Sequence, residues 1–184
     1  MFQRLPSALP GCVELQPRVL SDARGRFVKT FHAAAFQQLG LCDQFAESYY
    51  SVSQRGVIRG LHFQTPPMAH TKLVYCVAGA VLDVVVDLRV GSPTYGQHAL
   101  FELSAEQGNS VYIPAGMAHG FYTRSEQATL VYQVSTVYAP QHDAGILWNS
   151  AGIAWPEDAA PILSERDQQF PTLAEFVSPF RDAE

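Results

Sequence analysis

Residues 72–89, KLVYCVAGAVLDVVVDLR, show the pattern that governs most of the chain. Two apolar runs meet at Gly79, and in the second Val81, Asp83, Val85 and Asp87 alternate with Leu82, Val84, Val86 and Leu88. A period of two puts successive side chains on opposite faces of a strand, so this run predicts a strand with one face carrying polar groups. Residues 98–104, 110–116, 119–124 and 128–139 continue the series at short spacing, with Gly and Pro between them. Many short strands with turn residues between them predict an antiparallel sandwich or barrel. Only HAAAFQQLG (32–40) and TLAEFVSPF (172–180) read as helical, the first closing on Gly40, a residue suited to a C-cap. The expected class is therefore all-β with short peripheral helices. No repeat or linker divides the 184 residues, and at roughly 150 residues per domain they form one domain. Its expected parts are an N-terminal extension over about 1–44, a barrel over about 45–140 and a C-terminal segment over 141–184.

Composition narrows the function classes. Apolar residues reach 47% and charged ones only 16%, which excludes disorder. The net charge of −5 argues against a general binder of nucleic acid or of anionic membranes. The 12 basic residues include only two lysines, Lys29 and Lys72. Cys12, Cys42 and Cys76 are odd in number and lack CxxC spacing, so neither a disulfide framework nor a zinc knuckle is indicated. The N-terminus lacks the apolar run of about 7 to 15 residues that marks a signal peptide. No stretch approaches the roughly 18 apolar residues of a membrane span. The expectation is a soluble, cytoplasmic protein.

Four stretches set polar side chains in strand context: 22–27 (DARGRF), 51–64 (SVSQRGVIRGLHFQ), 114–121 (PAGMAHGF) and 163–167 (LSERD). Arg59 and His62 are three apart, and on a regular strand they would face opposite ways. A bulge at Gly60 is needed to aim both into one cavity. His119 closes a P-x-G-x-x-H spacing that also occurs in metal-binding cupin barrels. A metal needs three or four converging ligands, and the other cupin motif usually supplies HxH, whereas here the segment is His62-Phe63-Gln64. No metal is expected. Tyr132 shares a face with Leu130 and Val134, and taken alone it reads as a core tyrosine. Asp167 reads alone as a solvated charge.

Taken together, these stretches resemble the dTDP-4-dehydrorhamnose 3,5-epimerase family. Six motifs carry the resemblance in order: D-x-R-G-x-F at 22–27, S-x-S-x-x-G-V-I-R-G-L-H-F-Q at 51–64, K-L-V at 72–74, V-D-L-R-x-G-S-P-T-Y-G at 86–96, I-P-x-G-x-A-H-G-F at 113–121 and L-S-E-R-D at 163–167. The resemblance implies a cupin-like antiparallel jelly roll, a homodimer, and no metal or other cofactor. It implies a substrate that is a nucleotide-diphosphate keto sugar, epimerised at C3, at C5 or at both. By it His62 is the general base, Asp167 its orienting carboxylate, Lys72 the enolate-stabilising cation and Tyr132 the acid on the opposite face of the sugar. Arg24, Phe27, Lys29, Glu47, Arg59, Gln64, His119, Tyr138, Asp143 and Arg166 are the implied substrate contacts.

The residue types suit that chemistry. Epimerising a carbon beside a ketone removes a weakly acidic C–H and returns a proton from the other face. A neutral His, with a reference pKa of about 6.5, is a competent base, and a carboxylate on its second nitrogen sets the tautomer. A Tyr, at about 10, stays protonated and donates. The enolate oxygen needs a preorganised cation, and a diphosphate calls for bidentate Arg.

The chain departs from the family at several positions. Lys29 stands where an acid is common, Glu47 where Gln is common and Tyr49 where Asn is common; Trp148-Asn149-Ser150-Ala151 replaces the usual W-N-D-P. Lys29 and Glu47 either form a compensating pair, with thymine retained, or Glu47 accepts the N1 and N2 edge of guanine on a GDP-linked sugar. A CDP-linked sugar, a monofunctional epimerase, a metal-dependent cupin enzyme and a non-catalytic sugar-nucleotide-binding barrel are the alternatives.

Overall fold

A computed structural model describes residues 1–156 and 160–182. Thirteen strands and one short helix follow in the order β1 Phe2–Leu5, β2 Val13–Pro17, β3 Val19–Asp22, β4 Gly25–Val28, α1 Ala33–Gln38, β5 Glu47–Gln54, β6 Ile58–Gln64, β7 Lys72–Ala78, β8 Ala80–Asp87, β9 His98–Ser104, β10 Ser110–Ile113, β11 Met117–Thr123, β12 Gln127–Val134 and β13 Asp143–Gly145. Two antiparallel sheets face each other, one ordered β1-β2-β10-β7-β12-β5 and the other β13-β6-β11-β8-β9. This is the expected all-β jelly roll. Residues 1–44 supply β1 and β2 to the larger sheet, and the C-terminal segment supplies β13 to the smaller. The hairpin β3–β4 pairs only with itself.

The two inner faces interdigitate in a core that includes Val74, Cys76, Leu130 and Tyr132 from the larger sheet and Val85, Phe101, Met117 and Phe121 from the smaller. Gly79 joins β7 to β8 at φ 76°, where a Cβ would lie 2.1 Å from the Gln127 carbonyl oxygen. That hinge matches the break read from the sequence. The alternation along β8 sets Asp83 on one face as expected, and nearly all of the strand is buried on both faces. Val81 and Val85 point into the inter-sheet core with Asp83 among them. Val84, Val86 and Leu88 face outward beneath Phe176, Phe180 and Leu173 of the C-terminal segment.

Helix α1 forms as predicted, with His32 as its N-cap, and its Phe36 is buried against Val13, Leu73, Tyr75 and Tyr112 on the outer face of the larger sheet. The second expected helix does not form. Residues 173–175 make one turn, with the Glu175 carboxylate accepting from the Thr172 amide and hydroxyl. Pro179 restrains Ser178 from helical geometry, and the segment instead runs extended, the Ser178 hydroxyl donating to the Leu88 carbonyl and Val90 pairing with Arg181.

Candidate active site

A cavity of about 350 Å³ opens between the two sheets, in the barrel-mouth position common for small-ligand sites. The expected bulge carries its central feature. His119 on β11 lies opposite His62 on β6 and Phe121 opposite Arg59, so three steps along β6 match two along β11. Gly60 sits in the bulge at φ 139°, and a Cβ there would lie 2.6 Å from the Cα of Gly120. The extra residue aims both Arg59 and His62 into the cavity.

Asp167 arrives from 105 residues away. Its Oδ1 lies 2.8 Å from His62 Nε2, and its Oδ2 accepts the Gly60 amide at 3.1 Å. Burial pushes the Asp167 carboxyl up, but the hydrogen bonds from His62, Gly60 and Ser164 outweigh it and hold the group below the ordinary carboxylate value. With Nε2 engaged by a carboxylate, Nδ1 keeps the lone pair that takes a proton. Lys72, on β7, is buried and its Nζ donates to the His62 carbonyl at 3.0 Å. Burial lowers its pKa from 10.5 to about 8, against the opposing pull of Asp143 and Asp83.

Tyr132, on β12, is 7% exposed and its hydroxyl lies 3.2 Å from Ser51 Oγ on β5. Burial raises its pKa, so the phenol stays protonated. His62 and Tyr132 thus stand on opposed sheets across one cavity. Beside Tyr132, His119 Nε2 lies 2.7 Å from Asp83 Oδ2, both residues buried. Burial raises the Asp83 carboxyl, opposed by His119.

The remaining expected contacts divide into four groups. Arg59 lines the cavity and is steered by donation from Nε to Ser53 Oγ at 2.9 Å. Glu47, Tyr138, Asp143 and Arg166 form its rim: Glu47 Oε2 accepts the Tyr138 amide at 2.7 Å, and Asp143 Oδ2 takes both the Tyr138 hydroxyl at 3.1 Å and Arg166 Nη2 at 2.7 Å. Gln64 lines the cavity but spends its amide on protein, donating to the Met68 carbonyl and accepting from the Ala139 amide. It holds the β12–β13 loop in place. Arg24 and Phe27 lie on the β3–β4 hairpin with Lys29 just beyond it, and none of the three lines this cavity. Arg24 pairs instead with Asp22. Among the described residues Lys29 and Glu47 form no ion pair within the chain, so the compensating pair considered above is absent at this level. No cluster of three or more His, Cys, Asp or Glu suited to a metal occurs among the described residues.

Ser51, His70 and Asp83 also belong to the site, although the sequence reading did not single them out as such. Alternation along β5 carries Tyr49, Ser51 and Ser53 on one face, and Asp83 lies on the polar face of β8, so those two left a signal. His70 left none. Burial and the neighbouring Lys72 charge lower its pKa to about 3, and its Nδ1 faces the Gln64 amide at 3.2 Å.

A jelly roll with an oriented imidazole, a buried ammonium and a neutral phenol around one cavity has the groups that an isomerase needs. A family profile described as dTDP-4-dehydrorhamnose 3,5-epimerase matches residues 6–175. The dTDP-4-dehydrorhamnose 3,5-epimerase of Salmonella typhimurium is 41% identical over 172 residues, 92% of this chain and 94% of that one. A dTDP-4-dehydro-6-deoxyglucose 3-epimerase of Streptomyces bikiniensis is also 41% identical over 172 residues, 92% of this chain and 88% of that one. The crystal structure of dTDP-6-deoxy-D-glucose-3,5-epimerase from Legionella pneumophila, in complex with dTDP-4-keto-L-rhamnose, superposes with a TM-score of 0.95 at 34% identity and full coverage of both chains. The chain therefore belongs to the dTDP-4-dehydrorhamnose 3,5-epimerase family.

Proposed function

We propose that the chain converts dTDP-4-dehydro-6-deoxy-glucose to dTDP-4-dehydro-rhamnose by proton transfer at C3 and C5. The observation that carries this reading is the placement of His62 and Tyr132 on opposed sheets, which gives a sugar ring a base on one face and an acid on the other. His62 Nδ1 removes the proton beside the C4 ketone, and Asp167 stabilises the imidazolium. Lys72 meets the charge that develops on the C4 oxygen, where a preorganised cation in a desolvated site is worth most. Tyr132 delivers a proton to the opposite face. Arg59 takes the diphosphate, and His119, held by Asp83, contacts the sugar. No metal or cofactor enters any step.

Glu47 bears on the choice of base. One of its carboxylate oxygens already accepts the Tyr138 amide, so a two-point clasp on guanine is not preformed, which favours dTDP. Inversion at one carbon only is the second reading, supported by the equal identity to a 3-epimerase.

The reading includes a homodimer in which the β3–β4 hairpin of each subunit brings Arg24, Phe27 and Lys29 to the other's cavity. Supporting it, the three residues lie away from their own cavity, and Phe27 is 61% exposed on a hairpin that joins neither large sheet. The free thiols of Cys12, Cys42 and Cys76 suit a reducing cytoplasm. The decisive experiment is incubation with the keto sugar in D2O. Deuterium entering C3 and C5 with inversion supports the reading, and no incorporation at either carbon with dTDP-, GDP- or CDP-linked sugar overturns it.

A further inference from the structure

Tyr49 lines the cavity, and the chemistry above gives it no task. It lies directly across the strand pair from Tyr132. The two rings are stacked, with centroids 4.9 Å apart and planes 17° from parallel. Ser51, two residues on and on the same face of β5, meets the Tyr132 hydroxyl at 3.2 Å. From another side the His119 ring approaches Tyr132 edge-on, with centroids 6.1 Å apart. A phenol has two side-chain torsions to settle, and these contacts settle them together. The stacked ring comes from β5, the outermost strand of its sheet.

We propose that Tyr49 is a positioning residue for Tyr132, its stacked ring holding the phenol where the proton reaches the sugar from the face opposite His62. This rests on the functional reading above. The enolate has two fates. If the His62 imidazolium first exchanges its proton with solvent and then returns a deuteron, the electron pair re-forms the bond to carbon on the original face and the C4 carbonyl is restored, with solvent label but no inversion. If Tyr132 gives its proton, the new C–H bond forms on the opposite face; the phenolate regains a proton from solvent and the imidazolium releases its own. Tyr49 biases that partition toward inversion, which an Asn, having no aromatic face, does not do in this way.

The test follows the keto sugar in D2O and measures inverted product against label in the recovered starting epimer. Tyr49→Phe, which keeps the stack, is expected to hold that ratio within about twofold. Tyr49→Asn and Tyr49→Leu are expected to lower it about tenfold, the scale of one aromatic contact, while label entry and KM change less than about twofold. An unchanged ratio in Tyr49→Asn, a ratio lost equally in Tyr49→Phe, or exchange and inversion falling in parallel overturns the positioning role and leaves the epimerase reading standing. Absence of label in the wild-type protein overturns both.

Discussion

At the scale of single residues the site is a set of opposed demands. Lys72 must be charged to meet an enolate, yet it is 6% exposed. Its folded pKa of about 8 lies below its ordinary 10.5, so between those values the unfolded chain binds the extra proton and stability rises with pH. At pH 7 the buried ammonium costs about 3 kcal/mol. Lys72→Met is therefore expected to abolish turnover while raising stability to denaturant at pH 7 by up to that amount, with the gain shrinking as pH approaches 10. In the wild-type protein, activity is expected to fall as pH rises through about 8, measured as kcat/KM against pH. His62→Ala is expected to remove deuterium entry at both carbons by at least about 100-fold. Tyr132→Phe is expected to retain label entry but lose inversion, and full inversion in that variant would contradict its role as the acid. Of these residues His62 was legible as a candidate from its place beside Arg59 among glycines in a strand-like run, whereas Lys72 and Tyr132 stood out only through the family motifs, since alternation alone made Tyr132 a core residue. Asp167 was not legible from spacing, since nothing local to a serine, a glutamate and an arginine places a carboxylate against an imidazole 105 residues away.

At the scale of elements the bulge in β6 is the device that makes the site. Without it Arg59 and His62 would lie on opposite faces, and the need for it could be argued from their spacing alone. Gly60→Ala is expected to cost about 2 kcal/mol or more, because a Cβ meets Gly120 and the backbone conformation is one that side chains rarely adopt. The measurement is a urea midpoint together with kcat, and both are expected to drop. The C-terminal segment was misread for an equally local reason. Its apolar residues have helical spacing, but they are spent as a cover for the outward face of β8, and Pro179 ends the single turn. That cover also explains why the apolar face of β8, with Val84, Val86 and Leu88, is buried away from the inter-sheet core. A strand pattern reports two faces without reporting what lies over each.

At the scale of the whole molecule the proposed dimer turns on the hairpin residues, which lie away from their own cavity. If the partner supplies them, Arg24→Ala and His62→Ala proteins, each inactive alone, are expected to recover about a quarter of wild-type activity after mixing and subunit exchange. Half of the dimers are then hybrids with one intact site. No recovery despite demonstrated exchange would place Arg24 outside the site. Chelator treatment is expected to leave turnover unchanged, as the donor set around His62 suggests.

The route of the C-terminal segment ties the chemistry to a part of the chain with little regular structure. The segment delivers Asp167 to His62 and then continues as the outer cover of the smaller sheet, held along the way by Leu147, Leu88 and Val90. Peripheral segments of this kind open at lower free energy than the sheets they rest on. Local opening here would withdraw the carboxylate from the base while both sheets stay folded. On warming, proton abstraction should fade ahead of global unfolding, in step with hydrogen exchange at the Asp167 amide rather than at the amides of β8.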